Sequence, residues 1–320
     1  MNVPLPSFVQ IEPVGQCNLA CRMCPVVLRE EKAPAFMPFE TFTRLVDQFE
    51  DLRELHLQGL GEPFLHPRFF EMVAYAAARG VEVSTNTNLT ALSPRRAEAC
   101  VKSGLARLHA SLDAADPAAY EYIRVGSRFD RVLRNLDLLV DAKRRCAALY
   151  PEIRMVAVLM RRTLEELPAL VRFAHEHGIT ALSVQHLAHD FTESTLPAKY
   201  APMREFVDAE TLAGHDVQAV FAEARRVAAA RGVELRLPRM ADAKKRGCDW
   251  PWRGSYIAYS GEAMPCCMVA TPDRVNFGNM ARDGVGRVWD NPAYNAFREK
   301  LASEIPPEIC SGCAVYRGVF

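Results

Sequence analysis

The chain has 320 residues, 49% of them hydrophobic, which is enough for one large barrel with an appendage or for two ordinary domains around a substantial core. Lys+Arg and Asp+Glu each number 39, so the formal charge is zero and no basic groove for nucleic acid or anionic membrane surface is expected. Met1 to Gln10 lack the charged and apolar regions of an export signal, and no stretch approaches the roughly 18 apolar residues of a membrane span, so a cytoplasmic protein is expected. In a reducing compartment its ten cysteines point to metal ligands or reactive thiols more than to disulfides.

Strand-like and helix-like runs alternate to about residue 237, the pattern of parallel β/α units. Phe8 to Pro13 reads as the first strand, a cysteine loop follows, and Pro38 to Glu50 reads as a helix with Phe39, Phe42, Leu45, Val46 and Phe49 on one face. The second unit pairs Glu54 to Gln58 with a helix over Pro67 to Arg79. The third pairs Val81 to Thr85 with a helix begun by Ser93-Pro94, serine capping and proline in the first turn. Arg107 to Leu112 is a fourth strand, and the helical stretch Pro117 to Leu149 must break near Gly126. Ile153 to Met160 and Ala181 to His186 supply strands five and six, with a helix over Leu164 to His177 between them. Residues 188–215 read as a loop or lid with short helices, and Val217 to Ala230 and Val233 to Leu237 add a last helix and short strand.

Beyond Pro238 the texture changes to clustered Gly, Pro, Trp and Cys, with a short strand over Tyr256 to Tyr259 and a hairpin tip at Ser260-Gly261. The expected fold class is therefore α/β, a partial (β/α)6 TIM-type barrel over 1–238 followed by a small α+β domain over 239–320. Trp250, Trp252 and Trp289 read as the core of that small domain.

Eight of the ten cysteines fall in two groups. Cys17, Cys21 and Cys24 sit on a tight loop directly after the first strand, at the end where β/α barrels build active sites. Three thiolates leave one iron of a four-iron cluster open, whereas structural zinc is normally closed by a fourth protein ligand, for which His56 and His66 are candidates without a characteristic spacing. Cys248, Cys266, Cys310 and Cys313 gather near the hairpin and suit either tetrahedral zinc or a fully ligated four-iron cluster. Cys267 is surplus beside a ligand and reads as an inert thiol, an alternative ligand or a hydrogen-atom donor. Cys100 and Cys146, alone in helical segments, read as small buried hydrophobes.

The Cys17-x3-Cys21-x2-Cys24 loop resembles the defining motif of the radical S-adenosylmethionine (SAM) superfamily. Gly59-Leu60-Gly61-Glu62-Pro63 resembles that family's Gly-Gly-Glu-Pro segment, departing from it at Leu60; Ser84, Asn86, Asn88, Ser111 and Asp113 match positions that commonly hydrogen-bond the ribose or carboxylate; and Arg124, expected among the cofactor-binding residues, resembles the arginine often found before a glycine in the next helix, where it can pair with a carboxylate. The resemblance implies a [4Fe-4S] cluster whose open iron chelates S-adenosylmethionine and, once reduced by an external donor such as flavodoxin or ferredoxin, yields a 5′-deoxyadenosyl radical. Cys248, Gly261-x4-Cys266, Gly278-Asn279 and Cys310-x2-Cys313 resemble the shortened auxiliary-cluster domain of the SPASM/Twitch subgroup, implying one auxiliary [4Fe-4S] cluster. Because the first strand starts by residue 8, with no leader-binding domain ahead of it, the expected substrate is a small polar metabolite such as a sugar or aminocyclitol, oxidised or epimerised. Maturation of a ribosomally made peptide is the alternative, and an iron–sulfur electron carrier is the reading from another class.

Anaerobic reconstitution is expected to give about eight irons per chain, four at each site, with Cys17, Cys21 and Cys24 changed together to Ala removing about half. Iron confined to the N-terminal loop, with zinc at the C-terminal cysteines, would refute the auxiliary cluster.

Overall fold

The computed structural model describes residues 3–29, 35–187, 193–212, 214–240 and 246–319, so parts of the expected lid (188–192 and 213) lie outside it. Seven strands, β1 (Phe8–Ile11), β2 (Glu54–Leu57), β3 (Glu82–Thr87), β4 (Arg107–Ser111), β5 (Glu152–Leu159), β6 (Ala181–His186) and β7 (Glu234–Arg236), lie side by side in chain order. All these pairs are parallel, so every loop that leaves a strand does so at the same end of the sheet. The intervening helices are α1 (Phe39–Val46), α2 (Phe69–Ala77), α3 (Pro94–Lys102), α4 (Pro117–Ile123), α5 (Phe129–Arg145), α6 (Leu167–Glu176), α7 (Ala201–Glu210) and α8 (Gln218–Arg231). Ser93 caps α3 by accepting from the Arg96 amide, and the long helical stretch breaks around Gly126, which takes a left-handed φ of 90°. Within the expected lid, α7 is a regular ten-residue helix.

Strand alternation divides the sheet into two chemically different faces. Val9, Ile11, Leu55, Leu57, Val83, Leu108 and Ala110 are fully buried within one large apolar cluster, together with residues of the helices. Each of the larger side chains contributes roughly 1.5–3 kcal/mol by leaving water. The alternate positions carry Gln10, His56, Ser84, Asn86, His109 and Arg154, aligned across neighbouring strands. A closed barrel would be filled with apolar layers, but here the curved sheet keeps a polar cavity of about 310 Å³ lined by His56, Asn86, His109, Arg154, Ser183 and Gln185.

The short strand expected at Val233 to Leu237 forms as β7 beyond β6, and the sheet is extended at its other edge, where β8 (Gly254–Ile257) pairs in parallel with β1 over its whole length, from Phe8↔Gly254 to Ile11↔Ile257. The strand expected at Tyr256 to Tyr259 thus starts two residues earlier, set by its pairing with β1. It ends at Ile257 because the chain turns, with Gly261 donating to Ala258 and Ala258 donating to Glu262. β9 (Ala263–Met264) returns antiparallel to β8. Five short helices follow or flank this hairpin, α9 (Trp250–Arg253), α10 (Met280–Asp283), α11 (Val285–Trp289), α13 (Glu308–Ser311) and α14 (Ala314–Arg317), with the longer α12 (Pro292–Ala302) among them.

Residues on the two sides of Pro238 share one core. Phe277, Met280, Val285, Val288, Trp289 and Tyr294 belong to the same cluster as the barrel strands, and Trp289 donates its indole N–H to the carbonyls of Val3 and Pro4, each at 3.0 Å. Cys100 is fully buried as expected. Cys146 is exposed instead, because it caps the solvent-facing end of α5 after the charged run Lys143–Arg145.

Calorimetry should accordingly show one cooperative unfolding transition, and a chain shortened to end at Pro238 should fail to give a native circular dichroism spectrum, since it exposes the β1 edge. Two separable transitions would contradict a shared core.

Candidate active site

Cys17, Cys21 and Cys24 lie on the loop after β1, which is pinned from outside by the end of α4. Ala20 donates to the Val125 carbonyl at 2.9 Å and Arg22 to that of Ile123 at 3.1 Å. Within the loop Cys24 donates to the Cys21 carbonyl at 3.0 Å, and the Leu19 amide points at Cys17 Sγ at 3.4 Å. The three thiols are near enough to act on one another electrostatically, although no three Cys, His, Asp or Glu side chains among the described residues already form a metal cage. Burial pushes Cys17 up to about 11 and Cys24 up to about 12, so thiolate formation here depends on a positive partner.

Neither candidate fourth ligand is available to the loop. His56 faces the lumen with Nδ1 2.8 Å from Ser84 Oγ, and burial with nearby His109 pushes it down to about 3. Buried His66 has both ring nitrogens engaged, Nε2 with the Met37 carbonyl at 2.9 Å and Nδ1 with the Arg68 amide at 3.1 Å. The donor set therefore stays at three thiols, which fits a cluster with one open iron better than a closed zinc site.

Gly59 to Pro63 crosses directly above this loop. A Cβ on Gly61 would overlap the Val14 carbonyl oxygen, so only glycine permits this approach, and Glu62 then donates its amide to the Gln16 carbonyl at 3.0 Å. The buried Glu62 carboxylate accepts from Thr87 Oγ1 at 2.6 Å, from the Asn88 amide at 2.8 Å and from the Phe64 amide at 3.1 Å. Burial raises its pKa while these donors oppose the rise.

The remaining expected cofactor residues divide by their commitments. Asn88 Nδ2 faces Cys17 Sγ at 3.7 Å and Asn18 Oδ1 at 3.3 Å. Asp113 is taken up by the protein itself, accepting from Arg124 Nε at 2.8 Å and from the Val158 amide at 2.9 Å. Arg124 is thus paired with a carboxylate, and that carboxylate is the protein's own Asp113. Burial alone would lower its pKa, but Asp113 and Cys21 hold it up, so the guanidinium is a fixed positive charge beside the cluster loop. Ser84 lies two residues deeper in the lumen than Asn86 and is bound to His56. Asn86 and Ser111 make no side-chain hydrogen bond among the described residues, which leaves both open to a ligand.

Two functional residues escaped the sequence reading. Glu12, fully buried, accepts from the Leu60 amide at 2.8 Å, the Gly61 amide at 3.3 Å, Arg29 Nη2 at 3.0 Å and the Tyr259 amide at 3.4 Å. Arg29 in turn donates to the Gly15 carbonyl at 2.9 Å. One ion pair thus joins β1, the cysteine loop, the Gly59–Pro63 turn and the C-terminal hairpin. The signal in the sequence was an acidic residue directly after the buried Val9 and Ile11 of the first strand.

The C-terminal cysteines converge from separate elements. Cys266 follows β9, and Cys248, Cys267 and Cys313 are near enough to act on it electrostatically. Cys310, at the end of α13, packs in the same buried cluster as Cys266 and Cys267 and accepts at its carbonyl from the Cys313 amide at 3.1 Å. A cavity of about 290 Å³ opens between this domain and the first cysteine loop, with Pro25, Arg29, Tyr259 and Thr271 in its wall. Across its rim Lys199 pairs with Asp273 at 2.8 Å.

A model of the radical SAM superfamily matches residues 11–174, just over half of the chain. The chain belongs to the radical SAM superfamily. A second model, an iron–sulfur cluster-binding domain of the SPASM type, matches residues 248–314. The chain is 24% identical to the tungsten-containing aldehyde ferredoxin oxidoreductase cofactor-modifying protein of Pyrococcus furiosus, over 97% of this chain and 87% of that one. It is 26% identical to the PqqA peptide cyclase of Xanthomonas campestris pv. campestris, over 98% and 80%. Among solved structures, Streptococcus suis SuiB bound to S-adenosylmethionine shares the fold with a TM-score of 0.72 at 17% identity, covering 99% of this chain and 72% of that one. This radical SAM enzyme therefore uses [4Fe-4S] clusters and S-adenosylmethionine. Among the described residues no helix is long and apolar enough to cross a membrane.

Glu12→Gln leaves Arg29 buried without its counter-charge, a change expected to cost about 3–5 kcal/mol. Thermal denaturation should show a markedly lower Tm, and S-adenosylmethionine binding by calorimetry should weaken, whereas Glu71→Gln on the exposed face of α2 should alter neither. An unchanged Tm in Glu12→Gln would remove the clamp.

Proposed function

We propose that this enzyme removes a hydrogen atom from an unactivated carbon of a peptide substrate, leading to oxidative modification of that residue. Cys17, Cys21 and Cys24 hold the open-iron cluster, and Cys248, Cys266, Cys310 and Cys313 hold one auxiliary cluster. When bound and reduced, the first cluster and S-adenosylmethionine supply the 5′-deoxyadenosyl radical that performs the abstraction. Gly59, Gly61, Glu62 and Pro63 receive the methionyl end of the cofactor, and Asn86, Asn88 and Ser111 receive its remaining polar groups. Asp113 and Arg124 act as positioning residues, because each holds the other and Arg124 faces Cys21.

The observation that carries the proposal is the cavity between the first cysteine loop and the C-terminal hairpin, bounded by Pro25 and Arg29 on one side and Ala258 to Ser260 on the other. Its size suits one side chain entering while its backbone stays outside. A peptide substrate is supported by the PqqA peptide cyclase, matched over nearly the whole chain, and by SuiB, also solved with its precursor peptide SuiA. The expected preference for a sugar or aminocyclitol lacks that support. An electron carrier would need neither the barrel nor an open donor set. Cys267 is half-buried, packed against an apolar cluster, a setting that suits an inert thiol.

With a strong reductant the enzyme should convert S-adenosylmethionine to 5′-deoxyadenosine slowly without substrate. A short peptide encoded beside its gene should stimulate this and lose hydrogen by mass spectrometry, with Cys267→Ala leaving product formation largely intact. Stimulation by aminocyclitols and not by peptides would overturn the substrate reading. One solvent deuterium at the reacting carbon, lost with the product in Cys267→Ala, would overturn the oxidative outcome.

A further inference from the structure

Six buried side-chain polar atoms lack a hydrogen-bond partner among the described residues, and two of them are tyrosine hydroxyls beside the C-terminal cysteines. Tyr256, fully buried, stands on β8 in register with Gln10 of β1 on one side and Met264 of β9 on the other. Its ring packs in the cluster that contains Cys266, Cys267 and Cys310, and Cys267 is near enough to act on its hydroxyl electrostatically. Tyr294, also fully buried, comes from α12, with its ring stacked on Phe277 at 4.1 Å, and its hydroxyl has the Ser255 side chain beside it. Of the two, Tyr256 is the one that packs among the cysteines.

An unsatisfied buried hydroxyl is destabilising, so its retention in a packed core calls for a partner. Nearby protein groups do not supply one for Tyr256. The Leu60 amide, which is in reach, can only donate and is given to Glu12 at 2.8 Å. Both Glu12 oxygens are already engaged by Leu60, Gly61, Arg29 and Tyr259. The remaining acceptors are sulfurs. A thiol accepts weakly, but a thiolate that ligates iron accepts well, and hydrogen bonds to cluster sulfurs stabilise the more negative, reduced state.

We propose that Tyr256 is a positioning residue of the auxiliary cluster, donating its hydroxyl hydrogen to a cluster sulfur and so raising the cluster's reduction potential. This rests on the assignment of that cluster to the C-terminal cysteines, and its test separates the two. In full-length protein with Cys17, Cys21 and Cys24 changed to Ala, only the auxiliary site can hold iron. About four irons and a reducible cluster signal in this parent would support the assignment; their absence would end both ideas.

Given that signal, Tyr256→Phe should keep the iron and shift the midpoint potential negative, seen as a several-fold fall in the reduced fraction at fixed poise. Tyr294→Phe should leave it unchanged, because the Tyr294 hydroxyl has the Ser255 side chain beside it. Tyr200→Phe should not shift it either, because the Tyr200 hydroxyl reaches Asp273 at 3.2 Å. In D2O the parent's Fe–S stretching frequencies should move, and that sensitivity should shrink in Tyr256→Phe. An unchanged potential with full iron content in Tyr256→Phe would overturn the proposal. Loss of iron from Tyr256→Phe would overturn it too, since the tyrosine would then retain the cluster instead of tuning it.

Discussion

The arrangement of the site depends on one buried carboxylate. Removing an isolated charge from water costs several kcal/mol even after the protein relaxes, so Glu12 is tolerable only with its counter-charge and donors in place. Those partners are Arg29 from the far side of the cysteine loop, the amides of Leu60 and Gly61, and the Tyr259 amide of the hairpin. Displacing any one of these segments would leave a buried group unpaired. The cofactor turn and the two cysteine-bearing parts are consequently held to one another by electrostatics as well as by packing.

The parallel pairing of β8 with β1 is the second half of that constraint. It places the C-terminal hairpin in the same sheet as the strand that launches the first cysteine loop. Both cysteine groups are then referenced to β1, and the cavity between them has walls from both parts. A domain joined only by a linker would have no such fixed separation, and electron or hydrogen transfer between its sites would lack a defined geometry.

The polar lumen is a different kind of departure from a closed barrel. Gln10, His56, Asn86 and His109 occupy positions where a packed barrel would carry Val, Ile or Leu. Their hydrogen-bonding capacity is partly internal, as between His56 and Ser84, and partly open, as at Asn86 and Ser111. Groups already paired within the chain shape the site, and groups left open can meet a ligand, a division that residue type alone does not reveal.

Much of this protein was legible in its sequence because the relevant physics is local. Period-two and period-3.6 apolar patterns placed β1 to β7 and the main helices, the Ser93-Pro94 cap marked α3, and Cys17-x3-Cys21-x2-Cys24 put three thiols on one loop whatever the rest of the chain does. Other features required the tertiary structure, because they join residues far apart in the chain. The Glu12 contacts to Leu60 and Tyr259, the pairing of Asp113 with Arg124 and the seating of β8 against β1 are of this kind. Arg124 shows the difference most plainly. Its place before a glycine near the cysteine loop was readable in the sequence, but its partner was decided by the turn after β4, which delivers a buried carboxylate 2.8 Å away. A spacing motif records what the backbone must hold near itself, whereas the pairing of buried charges is settled only when the sheet brings distant loops to one end.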